Sequence, residues 1–285
     1  MKVVVLGPTG VGKTKMSIEL AKWLNADVIN LDAVQVYKDL NIGSAKVTRE
    51  EMEGVKHYLL DIKSPDEEYN VRDFQKGARE IFEKNPHKNF IVVGGTGLYA
   101  SALFYDYVFL NDKDITLDKY TNEELYDIIK KKDKDIDIHV NNRVRMERIL
   151  KRNNVKKEAK LLYDDVVFVG LTTDRENLYS IINKRVDKMI DDGLIEEVKC
   201  LKDKYKDSLV LKRAIGYKEV IEYLDGNINK EEMIDLIKKN SRHYAKRQYT
   251  WFNNKMDLKW FTVDYEDFNK TIESVKEYII SCHKH

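Results

Sequence analysis

The segment GPTGVGKT at residues 7 to 14 directly follows a short apolar run and fits the phosphate-loop pattern GxxxxGK[ST]. In such a loop, glycines let backbone N–H groups surround phosphate oxygens, and the helix that follows adds positive potential at its N-terminus. Lys13 would neutralise phosphate charge and Thr14 would ligate Mg²⁺, whereas a tight turn alone needs neither side chain. We therefore predict a diphosphate or nucleotide site formed by Gly7, Pro8, Thr9, Gly10, Val11, Gly12, Lys13 and Thr14.

A carboxylate that would serve ATP or GTP hydrolysis is missing from its usual place. Phosphoryl-transfer enzymes of this kind commonly carry an aspartate at the tip of an apolar strand. The apolar segment 91–93 instead runs into GGTG, and the nearest candidate acid is Asp32, just beyond a second apolar segment. From composition alone, Asp32 could be a turn residue, a metal ligand or a general base, with the turn residue ranked first.

A hydroxyl lies at the end of the same apolar segment, in GGTGLY at residues 94–99. Because the carboxyl ends of parallel strands share one edge of a sheet, Thr96 should face the cleft that the phosphate loop faces. It would donate a hydrogen bond to a leaving-group oxygen, or it would cap the next helix, and these roles are equally plausible from the sequence.

Two basic stretches interrupt an otherwise balanced charge distribution. Residues 142–157 hold seven arginines and lysines against one acid, and residues 238–248 hold basic side chains four positions apart with no acid. At helical spacing each forms a positive stripe, with Tyr244, Tyr249 and Trp251 nearby for stacking. A solvated helix face explains most charge runs, but two such stripes indicate a polyanion larger than a nucleotide.

Composition limits the other classes of partner. Lysine plus arginine number 50 and aspartate plus glutamate 49, so the net charge of +1 predicts no bulk attraction to nucleic acid or an anionic membrane. Cys200 and Cys282 are far apart without a CxxC companion, which indicates neither a disulfide framework nor a zinc site. No apolar run is long enough for a signal peptide or a membrane span. We predict a cytoplasmic protein with no membrane partner.

The elements that position these residues alternate between strand and helix. Apolar segments at 3–6, 27–30, 57–62, 89–95 and 166–171 predict strands buried on both faces, with helical segments between them. Residues 111–160 are more polar and predict a small helical insertion, and the chain after Asp174 predicts helix almost to its end. The expected fold is α/β: a P-loop NTPase-like core of residues 1–110 and 161–285 with a parallel sheet flanked by helices, plus the insertion at 111–160.

With these residues identified, the chain resembles the tRNA dimethylallyltransferases, also called the IPP transferase family. The resemblance runs nearly end to end and rests on the segments GPTGVGKT, LDAVQVYKDLNIGSAK, HYLLDIKSPDEEYNVRDF, VVGGTGLY, RVDKMIDDGLIEEV, AIGYKEVIEYL and KRQYTWF. It implies transfer of a dimethylallyl group from dimethylallyl diphosphate to N6 of the adenine next to the tRNA anticodon, with release of pyrophosphate. A carbon–oxygen bond breaks, so no acid is needed to position water.

The resemblance also assigns roles. It implies that Asp32 is the general base for the adenine amine, that Thr96 and Arg213 interact with the departing pyrophosphate, and that Mg²⁺ is the cofactor, with Thr14 as its ligand. It implies a monomer that binds a tRNA anticodon stem-loop and flips out the target base. The expected tRNA contacts are Asp32, Ala33, Val34, Gln35, Thr96, Val144, Arg145, Met146, Glu147, Arg148, Arg242, Lys246 and Arg247.

Two further functions stay open at this point. A related adenylate prenyltransferase would act on free adenine nucleotides. The two basic stripes argue against this function, because they indicate a polyanion larger than a nucleotide. A small P-loop kinase would also use a strand, a phosphate loop and a nearby aspartate, but it leaves GGTGLY and the basic stripes without a role.

Overall fold

Parallel strands form the sheet that organises the chain, which the computed structural model describes for residues 1–106, 116–151 and 160–282. The strands are β1 (Lys2–Leu6), β2 (Asp27–Leu31), β3 (His57–Tyr58), β4 (Phe90–Gly94), β5 (Val166–Thr172) and β6 (Lys259–Thr262). They lie in the order β3-β2-β4-β1-β5-β6, and every neighbouring pair is parallel. The β-branched sequences of β1 and β4 suit strands that are covered on both faces.

Helices cover both faces of this sheet and build the rest of the described chain. They are α1 (Lys13–Leu24), α2 (Val71–Lys84), α3 (Gly97–Phe104), α4 (Asn122–Lys132), α5 (Arg143–Lys151), α6 (Arg175–Asp191), α7 (Leu194–Lys204), α8 (Leu209–Arg213), α9 (Tyr217–Leu224), α10 (Lys230–Lys255) and α11 (Phe268–Cys282). Capping boxes begin α2 at Asn70, α4 at Thr121 and α10 at Asn229. Each cap satisfies N–H groups that the first helical turn leaves unpaired.

The side chains of β1 alternate between two cores. Val3 and Val5 pack with α1 and α11 on one face, while Val4 and Leu6 pack with Phe74 and its neighbours from α2 and α3 on the other. These four side chains are fully buried. The alternation follows from the two-residue period of a strand, and it gives the sheet a helical layer on each side.

The register of the strands fixes where their loops emerge. Leu6 at the end of β1 lies opposite Gly94 at the end of β4, and Gly94 lies opposite Leu31 at the end of β2. The segments that follow β1, β2 and β4 therefore leave the sheet at one level of its carboxyl edge.

The chain divides into two compact units, one of Met1–Tyr105 with Leu161–His285 and one of Asp106–Lys160. The second unit contains α4 and α5 around a small apolar core, whose buried members are Leu117, Leu125, Ile129, Ile138, Met146 and Leu150. Arg143 braces this unit, because its guanidinium donates to the carbonyls of Leu117 and Tyr120 and its Nε lies 2.7 Å from Glu147 Oε1.

The predicted class, an α/β fold with a parallel sheet flanked by helices, is confirmed, but two predicted elements differ. Only His57–Tyr58 of the segment 57–62 pairs as a strand, since Leu59 and Asp61 adopt left-handed backbone conformations with φ of 62° and 53°. The helical expectation after Asp174 is wrong at β6, which pairs with β5 at the edge of the sheet. The helices of the described residues lack the combination of length and hydrophobicity that a membrane-spanning helix requires.

Helix α11 offers a matched test of its packing against the sheet. Ile279 is 1% exposed and Ile280 is 45% exposed. We expect Ile279→Ala to lower the free energy of unfolding by about 2 to 4 kcal/mol, because it leaves a cavity in the core, and Ile280→Ala to lower it by less than about 1 kcal/mol. Denaturant unfolding of both variants measures the difference, and equal losses would contradict this placement of α11.

Candidate active site

A cleft of about 670 Å³ opens at the carboxyl edge of the sheet, within the larger unit. Its walls include Thr9 after β1, Asp32 after β2 and Gly95 after β4, together with Arg185 from α6 and Gln248 from α10. The level strand ends thus bring together three segments that are far apart in the sequence. This is where ligands bind in open α/β sheets.

The phosphate loop leaves the start of α1 free for an anion. Gly12 is the N-cap of α1 with φ of 82°, a left-handed conformation that favours glycine, and no side chain caps the helix. The unpaired N–H groups of the first turn, with the positive end of the helix dipole, form an anion site. Five of the eight predicted loop residues line the cleft: Thr9, Gly10, Gly12, Lys13 and Thr14. Gly7 and Pro8 are not in its lining, and Val11 is buried in the core.

Lys13 occupies an environment that disfavours its charge. Burial lowers its pKa from 10.5 to about 7, the positive charge of Arg185 acts in the same direction, and the negative charge of Asp32 acts against both. Its Nζ donates to the carbonyl of Pro8 at 2.7 Å. A bound anion would reverse the balance and favour the ammonium form, so anion binding and Lys13 protonation should be coupled.

The carboxylate of Asp32 is held by its own loop. Oδ1 accepts hydrogen bonds from the backbone N–H groups of Val34 at 2.8 Å and Gln35 at 3.2 Å. Among the described residues, Oδ2 has no hydrogen-bond donor. Asp32 lines the cleft, so this second oxygen is available to a ligand. Asp32 can therefore stabilise the turn through Oδ1 and still bind a ligand through Oδ2.

Thr96 lies beside the cleft and is not part of its lining. It is the N-cap residue of α3, but its side chain makes no capping hydrogen bond, and its buried Oγ1 has no partner at hydrogen-bond geometry among the described residues. The Thr96 hydroxyl still interacts electrostatically with Tyr244, which does line the cleft. Burial raises the pKa of Tyr244 to about 12, and the charge of Asp32 contributes to the rise.

Two side chains that the sequence did not single out connect the loops of the site. Gln248 accepts from the N–H of Thr9 at 3.1 Å and donates to the carbonyl of Gly95 at 2.9 Å, so one amide joins the loops after β1 and β4. Arg185 donates to Thr9 Oγ1 at 3.1 Å. A lone glutamine or arginine on a helix carries no local signal, although both residues lie within the motifs RVDKMIDDGLIEEV and KRQYTWF.

The predicted basic residues of α8 and α10 separate into different roles. Arg213 lines the cleft, and so does Arg247, whose guanidinium lies 5.6 Å from the ring centre of Tyr244. Arg242 donates to Asn183 Oδ1 at 2.7 Å, and Lys246 is exposed outside the cleft lining.

Tyr249 and Trp251, which were predicted to be available for stacking, are half-buried and lie outside the cleft lining. The hydroxyl of Tyr249 lies 2.8 Å from Thr172 Oγ1. Trp251 packs so closely on Gly97 that a Cβ there would lie 2.0 Å from its ring. Tyr244 is the member of the predicted aromatic group that reaches the cleft.

The charge of the cleft is strongly positive although the chain is nearly neutral. Its lining contains one acidic side chain, Asp32, and five lysine and arginine side chains: Lys13, Arg185, Arg213, Lys218 and Arg247. Such a concentration of positive charge between low-dielectric walls attracts a highly charged anion.

Of the other predicted nucleic-acid contacts, Ala33, Val34 and Gln35 line the cleft, and the segment 144–148 lies in the second unit. Val144, Arg145 and Arg148 are exposed on α5. Met146 is fully buried in the core of that unit, so its side chain is not available to a partner, and Glu147 is paired with Arg143. Arg152, Lys156 and Lys157 of the first basic stripe lie outside the described residues.

The parallel sheet, the loop after β1 and the uncapped start of α1 define a P-loop protein of the α/β class. The family model described as IPP transferase matches residues 35–255. A tRNA dimethylallyltransferase from Anoxybacillus flavithermus is 44% identical, with 97% of this chain and 95% of that protein covered. A second, from Fusobacterium nucleatum, is 44% identical, with 92% and 91% covered.

Solved structures agree with this match. A tRNA isopentenylpyrophosphate transferase from Bacillus halodurans superimposes with a TM-score of 0.76 at 41% identity, covering 99% of this chain and 96% of that one. A eukaryotic dimethylallyltransferase acting on tRNA gives a TM-score of 0.83 at 28% identity, covering 96% and 77%. The chain therefore belongs to the IPP transferase family, the family of the tRNA dimethylallyltransferases, and the predicted resemblance is confirmed.

The environment of Lys13 predicts a pH dependence of stability. Its pKa is about 7 in the folded chain against an ordinary value of 10.5, so between these values the unfolded chain binds more protons. The penalty on the folded state is fully present below about pH 7 and diminishes as the pH rises. The melting temperature of the wild type relative to Lys13→Met should therefore increase from about pH 7 to about pH 9 without ligand.

The control for this measurement is Lys15→Met, which removes an exposed lysine from the same helix. It corrects for the loss of one positive charge at the surface. A difference between wild type and Lys13→Met that stays constant over this pH range, after that correction, would contradict the buried environment of Lys13.

Proposed function

We propose that the chain transfers a dimethylallyl group from dimethylallyl diphosphate to the exocyclic amine of the adenine next to the anticodon of a tRNA, releasing pyrophosphate. The observation that carries the proposal is that Asp32 lines the same cleft as Lys13 and Thr14 of the phosphate loop. Membership of the IPP transferase family supports the identity of both substrates, since the relatives are named for this reaction.

The phosphate loop is the proposed site of the diphosphate. The N–H groups at the start of α1 and the cations Lys13, Arg185 and Arg213 would bind its oxygens. The bond that breaks joins the allylic carbon to the bridging oxygen, so negative charge grows on the diphosphate as it leaves. Donors already fixed around that position stabilise the developing charge.

Apolar side chains beside these cations suit the hydrocarbon part of the donor. The cleft lining includes Ile181, Val186, Met189, Ile215 and Ile237. A five-carbon chain packed among them would be shielded from water, which would otherwise compete with the adenine amine for the allylic carbon.

Asp32 is the proposed general base. The adenine amine is a weak nucleophile because its lone pair is delocalised into the ring, so a carboxylate that orients it and takes its proton assists the attack. The hydrogen bonds to Oδ1 fix the carboxylate, and Oδ2 is free of donors among the described residues. The base would have to leave the anticodon-loop stack to reach this position.

The residues at the phosphate loop fit a magnesium ion that is bound together with the diphosphate. Thr14 is exposed and lines the cleft in the first turn of α1, whose start is uncapped. Within the described ranges no group of three or more His, Cys, Asp and Glu could hold a metal alone. Magnesium in phosphate sites takes one or two protein ligands and completes its shell with phosphate oxygens and water. When bound, it would add positive charge to the leaving diphosphate.

Exposed cations are the proposed contacts to the tRNA backbone. Lys246 on α10 and Arg145 and Arg148 on α5 are exposed outside the cleft lining. Arg247 on α10 is also exposed and belongs to that lining. Contacts of this kind position a nucleic acid without reading its sequence. We further propose that the protein acts as a monomer in the cytoplasm.

The proposal is tested by incubating the protein with dimethylallyl diphosphate, Mg²⁺ and an unmodified tRNA that carries adenine next to the anticodon. Prenylated adenine and free pyrophosphate are expected in equal amounts. AMP and ATP serve as comparison substrates in parallel reactions. Prenylation of AMP in preference to tRNA, or loss of the γ-phosphate of ATP without prenyl transfer, would overturn the proposal.

Asp32→Asn keeps the shape of the side chain and removes its ability to accept a proton. We expect turnover to fall by about 10²- to 10⁴-fold, with little change in the dissociation constant of the tRNA. The matched control is Asp39→Asn, because Asp39 is an exposed aspartate outside the cleft lining that pairs with Lys204. Equal turnover in the two variants would exclude Asp32 as the base.

A further inference from the structure

The carboxylate of Glu197 binds a backbone loop that reaches the cleft. Oε2 accepts from the N–H groups of Asn41 at 3.1 Å and Ile42 at 2.8 Å, and Oε1 accepts from the N–H of Gly43 at 3.2 Å. Tyr217 donates a fourth hydrogen bond to Oε1 at 2.8 Å. Three consecutive N–H groups that converge on one carboxylate fix the conformation of that loop.

An aromatic ring also packs against this loop. Tyr217 is fully buried, and a Cβ at Gly43 would lie 2.6 Å from its ring, so only glycine permits this contact. Burial and the neighbouring Glu197 raise the pKa of the Tyr217 hydroxyl, which therefore keeps the proton that it donates. Glu197 on α7 and Tyr217 on α9 thus hold the loop from the helical side of the cleft.

The loop in turn fixes the side chain of Gln35. The carbonyls of Ser44 and Ala45, which directly follow the bound N–H groups, both accept from Gln35 Nε2 at 3.1 Å. Two carbonyl partners identify the nitrogen end of the amide, so its orientation is determined. Among the described residues Oε1 of Gln35 has no donor, and Gln35, Ser44 and Ala45 line the cleft.

Gln35 also lies next to the proposed base. Its backbone N–H donates to Asp32 Oδ1 at 3.2 Å. The segment that holds Asp32 therefore presents two unpaired acceptors, Asp32 Oδ2 and Gln35 Oε1, to a ligand in the cleft. The two hydrogens of an exocyclic amine, as in adenine, would donate to these two acceptors. A carbonyl oxygen at the same position, as in guanine, would leave both acceptors unpaired.

We propose that Glu197 is a positioning residue for acceptor recognition: it fixes the loop 41–45 so that Ser44 and Ala45 hold the Gln35 amide with its oxygen presented as an acceptor to the base. This inference rests on the proposed function, because it assigns the nucleotide acceptor to the side of the cleft that holds Asp32. Glu197 touches neither substrate and acts through Gln35.

The first test separates the two substrates kinetically. Glu197→Gln replaces one carboxylate oxygen by an NH₂ group that faces backbone N–H groups, so the loop loses its anchor. We expect the KM for a tRNA anticodon stem-loop to rise about tenfold and the KM for dimethylallyl diphosphate to change by less than about twofold. Glu196→Gln, which alters the exposed glutamate before it, should leave both values unchanged. Similar increases for both substrates would overturn the inference.

The second test asks whether Glu197 acts through Gln35. In a Gln35→Ala background, Glu197→Gln should add less than about twofold to the KM for the stem-loop, because the group that it positions is already gone. Fully additive effects would mean that Glu197 acts elsewhere. If Glu197→Gln does not fold, Tyr217→Phe removes the hydroxyl that donates to Glu197 Oε1 and interacts with the backbone of Gly43 and Ser44, and it should raise the same KM about threefold.

A spectroscopic readout keeps this inference separate from the proposed function. The side-chain ¹H–¹⁵N signal of Gln35, identified by its loss in Gln35→Ala, should move in Glu197→Gln and stay in place in Glu196→Gln. An unmoved signal in Glu197→Gln would overturn the positioning role whatever the reaction is. Absence of prenyl-adenine in the wild-type reaction would instead overturn the proposed function, even if this signal moves as expected.

Discussion

The candidate site depends on one geometric constraint, the level ends of three parallel strands. Gly94 stands opposite both Leu6 and Leu31, and a Cβ at Gly94 would lie 2.2 Å from the carbonyl oxygen of Leu31. The close approach of β2 and β4 at this point therefore requires a glycine, which has no side chain. Because β1, β2 and β4 end together, the phosphate loop, the Asp32 turn and the GGTG segment leave the sheet side by side, and no long-range motion is needed to assemble them.

Helices outside the sheet then hold these segments in place. Gln248 on α10 joins the loops that follow β1 and β4. Arg185 on α6 donates to Thr9 of the phosphate loop. The same arrangement concentrates positive charge in a confined space. Burial of Lys13, assisted by the positive charge of Arg185, lowers the pKa of Lys13. A cleft of this charge attracts an anion, partly because the folded chain has already brought the cations together.

The strongly apolar strands and the phosphate loop could be predicted because their signals are local: a run of buried residues, and a short motif between strand and helix. The place of Asp32 after a strand left it ranked first as a turn residue, and its role in the site was implied only by the family resemblance. Side chains that reach the site from helices could not be predicted in this way, since Arg185 looks like any surface arginine in the sequence. Strand β6 was missed because a half-exposed edge strand among charged helices lacks an apolar run. The number of basic residues in the segment 142–157 likewise could not show that the guanidinium of Arg143 donates to backbone carbonyls of its own unit.

The segment that forms the second unit begins and ends at neighbouring points of the core. Tyr105 and Leu161 form an antiparallel bridge, and Leu162 donates to the carbonyl of Phe104, so the exit and the return lie next to each other. Because its two ends are adjacent, such a segment can be lengthened, shortened or exchanged without changing the order of the strands in the sheet. Evolution could therefore remodel this appendage to suit different RNA partners while the chemistry stayed as it was.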